Sequence, residues 1–151
     1  MAVIRYTKLQ SELKVDVVGE VAMTGSAVDI KVIDLTAVPY AHGFHCIMLV
    51  IQNAYLAGAV TVKAVGNTAT DGSGTDTVIQ TMVLAADGEN LVLEIPIELM
   101  SQFSDRSADG FFKSLIFEAT GTNADTLDAV IVAKVMQEQE SLTPTDVTTV
   151  T

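Results

Sequence analysis

Hydrophobic and polar residues alternate along most of this chain, and this period of two constrains its fold more than any other feature. Near the N-terminus, Leu13, Val15 and Val17 alternate with Lys14 and Asp16. Such alternation is typical of a β-strand with one buried and one solvated side. Helical periodicity of useful length is absent from the sequence. The chain is therefore predicted to be all-β.

Turn residues divide the alternating pattern into about eight strands. The predicted strands cover residues 13–23, 28–35, 44–51, 60–64, 78–84, 91–97, 112–120 and 127–136. The second strand slips at Ile33, as a β-bulge would make it do. The third is continuously apolar apart from His45, which indicates a central strand covered on both faces. Residues 98–103 are compatible with one helical turn.

Three further signals predict how the strands connect. Asp87-Gly88 is a hairpin signal. Pro96 lacks an N–H group, so its strand is expected to lie at a sheet edge or to end there. Gly121-Thr122-Asn123 is expected to join the last two strands as a closing hairpin.

Eight antiparallel strands in a single domain of this length fit a two-sheet sandwich, most economically a jelly roll. A seven-stranded immunoglobulin-like sandwich is the alternative, although its Cys…Trp…Cys hallmark is missing. We predict an N-terminal arm over residues 1–10, a β-sandwich domain over 11–137 and a C-terminal arm over 138–151. Each arm is either a frayed terminus or a segment that orders against an adjacent subunit.

Composition narrows the possible partners. Nineteen acidic residues against eight basic ones give the 151-residue chain a net charge of -11, which argues against nucleic-acid binding. Only 18% of the residues are charged while 49% are apolar, and the mean hydropathy is +0.41. A surface with so little charge favours burial in an oligomer.

A membrane location is not expected. The stretch from Leu35 to Val62 contains no charged residue, but Pro39, Gly43 and Gly58 interrupt it, so no run of about 18 apolar residues remains. The first residues show no apolar run behind their basic side chains, so a secretory signal is not predicted either.

Candidate chemistry is sparse. His42, His45 and Cys46 have the side chains of a zinc site, but the sequence contains no second His or Cys cluster, and adjacent strand residues point to opposite faces. The loop between Asp71 and Asp76 could wrap Ca²⁺ through oxygen ligands, but a surface loop is the simpler interpretation. Motifs for a catalytic nucleophile are absent. We therefore predict no catalytic residue, no metal site and no cofactor.

The chain as a whole resembles accessory structural proteins of tailed bacteriophage particles. The resemblance lies in a short, acidic, Val/Ala/Thr-rich all-β chain that starts at Met1-Ala2-Val3-Ile4, and in the predicted closing hairpin from Ser114 to Val132. It implies a head decoration or cement protein that binds the major capsid protein on the outer capsid surface of the virion, often as a homotrimer, after synthesis in the host cytoplasm. A neck or tail component is a related possibility.

Partner contacts are expected in the two arms and in the segment from Phe103 to Phe112. The candidates are apolar or aromatic side chains of the kind that dominate interfaces. They are Val3, Ile4, Tyr6, Phe103, Phe111, Phe112, Leu142, Val147 and Val150. The Phe111-Phe112 pair is either an anchor or ordinary core packing.

Two other function classes stay open, namely a receptor- or glycan-binding sandwich module and an enzyme with carboxylates converging from separate strands.

Overall fold

The structure is a computed structural model that describes residues 9–37, 39–40, 43–85, 87–96 and 112–138. These residues form eight β-strands. They are β1 (Leu9–Ala22), β2 (Ala27–Asp34), β3 (Phe44–Tyr55), β4 (Val60–Asn67), β5 (Asp76–Leu84), β6 (Leu91–Pro96), β7 (Ser114–Thr120) and β8 (Thr126–Glu138). Within these ranges there is no α-helix, and hence no helix able to cross a membrane.

The strands form two four-stranded antiparallel sheets. Sheet I has the order β1-β8-β3-β6, and sheet II has the order β2-β7-β4-β5. Among hydrogen-bonded neighbours, only β4 and β5 follow each other in the chain. Every other connection between consecutive strands crosses from one sheet to the other. This interleaved order is that of an eight-stranded jelly roll, which confirms the predicted fold and excludes the immunoglobulin-like alternative.

The connection at Asp87-Gly88 is not the predicted hairpin, because β5 belongs to sheet II and β6 to sheet I. The turn is anchored to the end of β3 instead. The Gly88 N–H donates to the Ala54 carbonyl at 2.7 Å, and the Asp87 carboxylate accepts from the Leu56 N–H at 2.9 Å. Gly88 has a φ of 77°, which glycine adopts without strain. The turn therefore carries the chain between sheets.

The predicted closing hairpin is also wrong, since β7 lies in sheet II and β8 in sheet I. The fully buried Asp125 shapes this connection. One carboxylate oxygen accepts from the N–H groups of Ala57 and Gly58, and the other accepts from the N–H and hydroxyl of Thr122. Burial alone would raise the pKa of Asp125, but these hydrogen bonds outweigh it and lower the pKa below its ordinary value. The ionised carboxylate thus joins two connections at one end of the sandwich.

The core lies between the sheets and is almost wholly aliphatic, with Phe117 as its largest fully buried side chain. Every second residue of a strand points into this core, and in β3 these residues are Ile47, Leu49 and Ile51, all 0% exposed. Burial of this kind stabilises a fold by roughly 25 cal/mol per Å² of apolar surface.

Two local predictions can be compared directly with the strands. β6 ends at Pro96 and lies at the edge of sheet I, as predicted. The bulge of β2 falls between Asp29 and Lys31 rather than at Ile33. The predicted helical turn over 98–103 lies outside the described residues, as do the predicted arms apart from the ends of β1 and β8.

Candidate assembly surface

The outward side of sheet I carries three successive rows of mainly apolar side chains. Strand register places residues directly opposite each other on the same face. The first row contains Val17, Val130, Val50 and Val92. The second contains Val15, Val132, Met48 and Glu94. The third contains Leu13, Lys134, Cys46 and Pro96. We call their apolar members the outer apolar face, which comprises Leu13, Val15, Val17, Cys46, Met48, Val50, Val92, Val130 and Val132.

The rim of this face is strongly exposed. Leu13, Val15 and Val17 on β1 are 64%, 65% and 71% exposed, and Val92 on β6 is 55% exposed. Between these edge strands, Val130 of β8 is 8% exposed and the outward side chains of β3 are half-buried. β3 is therefore covered on one face only and not on both as predicted. Single exposed hydrophobic residues are ordinary, but contiguous apolar rows mark interaction surfaces.

A β-bulge explains why β1 turns its apolar side outward. The pairing of β1 with β8 shifts between Val17 and Gly19, so Val18 is an extra residue. After the bulge, Val21 points inward and packs against the core. Before it the parity is opposite, and Val15 and Val17 face solvent although alternation alone suggests that they are buried.

The polar side of β1 faces the open edge of the sandwich. Asp16 forms an ion pair with Lys31 of β2, with 2.9 Å between the carboxylate oxygen and Nζ. Both side chains are about half exposed, so the pair contributes at most about 1 kcal/mol. It nevertheless links the edge strands of the two sheets. The charged side chains of β1 therefore lie toward β2 at this edge, whereas its apolar side chains lie on the outward side of sheet I.

Charged side chains flank the outer apolar face at its two ends. Lys134 lies in the Leu13 row at one end. At the other end, the row beyond Val17 contains Glu20 and Asp128, which are register partners. One end of the face is therefore basic and the other acidic, and Glu94 adds an acidic group to the Val132 row on the edge strand β6.

The outward side of sheet II also has an apolar row, but the chain covers much of it. This row consists of Val32, Ile116, Val65 and Val78. The loop after β4 lies over it, because a Cβ atom at Gly72 would lie 3.0 Å from Ile116 Cδ1 and 3.5 Å from Val32 Cγ1. Ile116 and Val65 are only 4% and 2% exposed, whereas Val78 at the edge is 47% exposed.

Asn67 holds this loop in place. Its side-chain oxygen accepts from the N–H groups of Ala69 and Gly74 at 2.8 and 3.0 Å. Its amide nitrogen donates to the Gly72 carbonyl and to the Asp76 carboxylate at 3.0 and 2.6 Å. Asn67 is fully buried, so these hydrogen bonds replace the water that it loses.

The carboxylates of the same loop are engaged within it. Asp71 accepts from the N–H and hydroxyl of Ser73, at 3.0 and 2.6 Å. The hydroxyl first and the N–H second lower the pKa of Asp71 below its ordinary value of 3.8. The described residues contain no group of three or more His, Cys, Asp or Glu side chains that could hold a metal ion. Of the His-Cys cluster, Cys46 lies half-buried on the outer apolar face, and His42 lies outside the described residues.

Among the predicted contact residues, only Phe112 falls within the described ranges. Its ring packs against Gly66, where a Cβ atom would lie 2.5 Å from Phe112 Cδ2, and it borders the core. The other predicted contacts lie outside the described residues. They are Val3, Ile4, Tyr6, Phe103, Phe111, Leu142, Val147 and Val150.

The residues of the outer apolar face were not predicted as contacts from the sequence. A signal for them exists in Val17-Val18-Gly19, where alternation breaks just before a glycine. Such a break indicates a bulge, and therefore a reversal of which side chains are buried.

Comparison with known proteins gives a fold but no family. No protein-family model and no curated protein matches the chain. A solved structure of Bacillus endospore appendages, described as disulfide-linked pili, matches with a TM-score of 0.51 and 12% identity over 86% of this chain and 89% of that one. A subviral particle of infectious bursal disease virus VP2 matches with a TM-score of 0.42 and 9% identity, over 83% of this chain and 33% of that one. The T13 particle of the same virus gives a TM-score of 0.41 and 12% identity, over 83% of this chain and 31% of that one. This chain thus spans about a third of the viral chains.

Proposed function

We propose that this chain is a structural subunit of a virion, a decoration or cement protein on the outside of a bacteriophage capsid. The observation that carries the proposal is the outer apolar face, a four-stranded surface whose apolar side chains on the edge strands β1 and β6 are strongly exposed. A face of this kind is stabilised when another subunit removes it from water.

The fold supports repeated assembly. The chain has the sandwich fold of a subunit from Bacillus endospore pili, with a TM-score of 0.51. The resemblance to phage accessory proteins adds the shell as partner and favours a homotrimer. Neck or tail structural protein is the related alternative within the same class.

Charge supports a place on the outer surface. A net charge of -11 repels packaged DNA and attracts basic patches, such as those on a shell built from the major capsid protein. The two arms would add tethered contacts, which act at high effective concentration once the domain is bound.

The test is binding of the purified chain to capsid particles that lack it, measured by co-sedimentation. We expect saturable binding and a higher temperature of particle disruption. Val15→Lys, on the outer apolar face, should reduce the bound amount. Val83→Lys is the matched control, because Val83 is 56% exposed on β5 of sheet II. Failure of the wild-type chain to co-sediment would overturn the proposal.

A receptor- or glycan-binding module predicts a different result. In that case Ca²⁺ or a glycan would raise the unfolding temperature of the free chain through the loop of Asp71 and Asp76. The structural proposal predicts no such shift, because the side chains of both carboxylates already have partners within the loop.

A further inference from the structure

We infer that the outer apolar face pairs with the same face of a second copy of this chain, about a twofold axis. The inference rests on the proposed structural role and identifies a second copy, rather than the shell, as the partner of that face. It replaces the homotrimer that the resemblance favours with a pair. Pairing gives each bound unit two sets of shell contacts, so Val15→Lys still reduces shell binding by separating the copies. The axis lies between the two faces, perpendicular to the strands, and crosses β8 midway between Val130 and Val132.

The charge pattern specifies this axis. Lys134 and Asp128 each lie three residues from the midpoint, or about 10 Å at about 3.4 Å per residue. The rotation therefore places Lys134 over the partner's Asp128, with Glu20 on the adjacent strand. Because the axis is twofold, the contact occurs twice. Opposite charges at the two ends of the face match when two copies meet in this orientation.

The apolar rows match under the same rotation. The Val130 row faces the partner's Val132 row, so the apolar side chains of β1, β8 and β3 lie at the centre. Lys134, Glu20 and Asp128 lie at the two ends, and Glu94 lies on the edge strand β6, over the partner's Val92. This distribution is that of a stable protein interface. Four rows about 6.8 Å apart on four strands about 4.8 Å apart give a flat area of roughly 500 Å². One partner of a standard interface buries about 800 Å².

A second copy fits this surface better than a purely basic partner does. The face carries Lys134 as well as Glu20, Asp128 and Glu94, so a basic partner would meet repulsion at the Lys134 end. Its own copy meets attraction at both ends. The overall charge of -11 opposes the association of two copies, which leaves the apolar rows and the paired rim charges to drive it.

The experiment uses two charge-reversal variants of the full chain, studied apart and mixed. Lys134→Glu places three acidic groups at each contact, and the double variant Glu20→Lys/Asp128→Lys places three basic groups there. We expect the wild type to show twice its 16.0 kDa mass in light scattering. Each variant alone should associate at least about tenfold more weakly, because like charges face each other.

The equimolar mixture of the two variants is the decisive measurement. In a heterodimer of the two variants, both contacts again join opposite charges, so an equimolar mixture should regain wild-type affinity. Circular dichroism checks that each variant is folded, and Val17→Lys weakens pairing without changing the rim charges. A monomeric or trimeric wild type, variants that remain dimeric, or a mixture that fails to associate would each overturn the inference.

The two proposals can fail separately. A wild-type monomer that still co-sediments with particles rejects the twofold pair and keeps the decoration role. A wild-type dimer that is rescued by charge exchange but never binds particles rejects the decoration role and keeps the pair.

Discussion

The outward faces of both sheets carry apolar residues, but the chain covers these residues to different extents. Each presents apolar residues on a surface that would otherwise face water. On sheet II, the loop after β4 covers Ile116, which is 4% exposed. On sheet I, the central Val130 is 8% exposed between its neighbours, but the described chain leaves the edge strands bare, where Val17 is 71% and Val92 is 55% exposed.

The covered face contributes to the stability of the fold, and the exposed face contributes to assembly. An apolar row covered by the same chain contributes to folding, and its cover must be held by a fixed structure such as the Asn67 hydrogen bonds. A row left bare contributes only when a partner arrives. Substitutions on the two faces should therefore affect different measurements.

The largest effect is expected from the same substitution made once on each face. Val65→Lys buries an ammonium group at a position that is 2% exposed, and should lower the free energy of unfolding by about 3 kcal/mol or more. Val17→Lys should change the unfolding of the dilute chain by less than about 0.5 kcal/mol. Urea denaturation at low concentration measures both. Equal losses would remove the distinction between the faces.

Sequence reasoning finds the strands better than it finds the faces. Alternation, apolar runs and turn residues locate the eight strands, and Pro96 marks the edge and end of β6, because these signals are local. The orientation of β1 depends on the bulge at Val18, where a single extra residue reverses the buried side. Local periodicity therefore identifies the strand and misassigns its outward residues.

The predicted hairpins fail for a related reason. Asp87-Gly88 has the composition of a two-residue turn, but its hydrogen bonds go to Ala54 and Leu56 at the end of β3. Those partners are more than thirty residues away in the chain, and only the jelly-roll topology brings them close. The cover over sheet II has the same non-local origin, since Ser114 donates to the Ala69 carbonyl 45 residues away.

Removing the Asn67 side chain should sharpen the comparison. Asn67→Ala leaves the N–H groups of Ala69 and Gly74 without their acceptor, and we expect a loss of about 2–3 kcal/mol in unfolding free energy. Asn53→Ala is the control, because Asn53 is exposed on the outward side of sheet I and should cost less than about 0.5 kcal/mol. A similar cost for both would show that the loop is not a structural cover.

A pair of glycine substitutions tests the contact between loop and sheet. Gly72 and Gly88 have φ values of 80° and 77°, so alanine at either position should cost about 1 kcal/mol in backbone strain. Only at Gly72 does the new Cβ meet a neighbour, Ile116 Cδ1 at 3.0 Å, which should add about 1 kcal/mol. Thermal unfolding of the two variants measures the difference. If Gly88→Ala proves as damaging as Gly72→Ala, the loop does not press on the sheet.

The smallest effect is a response of the covering loop to acid. The hydroxyl and N–H of Ser73 lower the pKa of Asp71, so the ionised form is favoured in the folded loop. Its contribution is present above the ordinary pKa of 3.8 and is lost as the pH falls through the lower folded value. Ser73→Ala should raise the pKa of Asp71 in an NMR titration, whereas Ser26→Ala, in the turn before β2, should leave it unchanged.

Acid should also open the cover and leave the bare face as it was. Amide hydrogen exchange at Gly74 and Thr75, whose N–H groups bond within the loop, should quicken below the folded pKa of Asp71. Amides in the centre of β8, behind the outer apolar face, should keep their protection through the same range because strand pairing on both sides holds them. Loss of protection in both regions at one pH would mean that the sandwich unfolds as a whole. The loop would then be part of the core's cooperative unit rather than a separate cover.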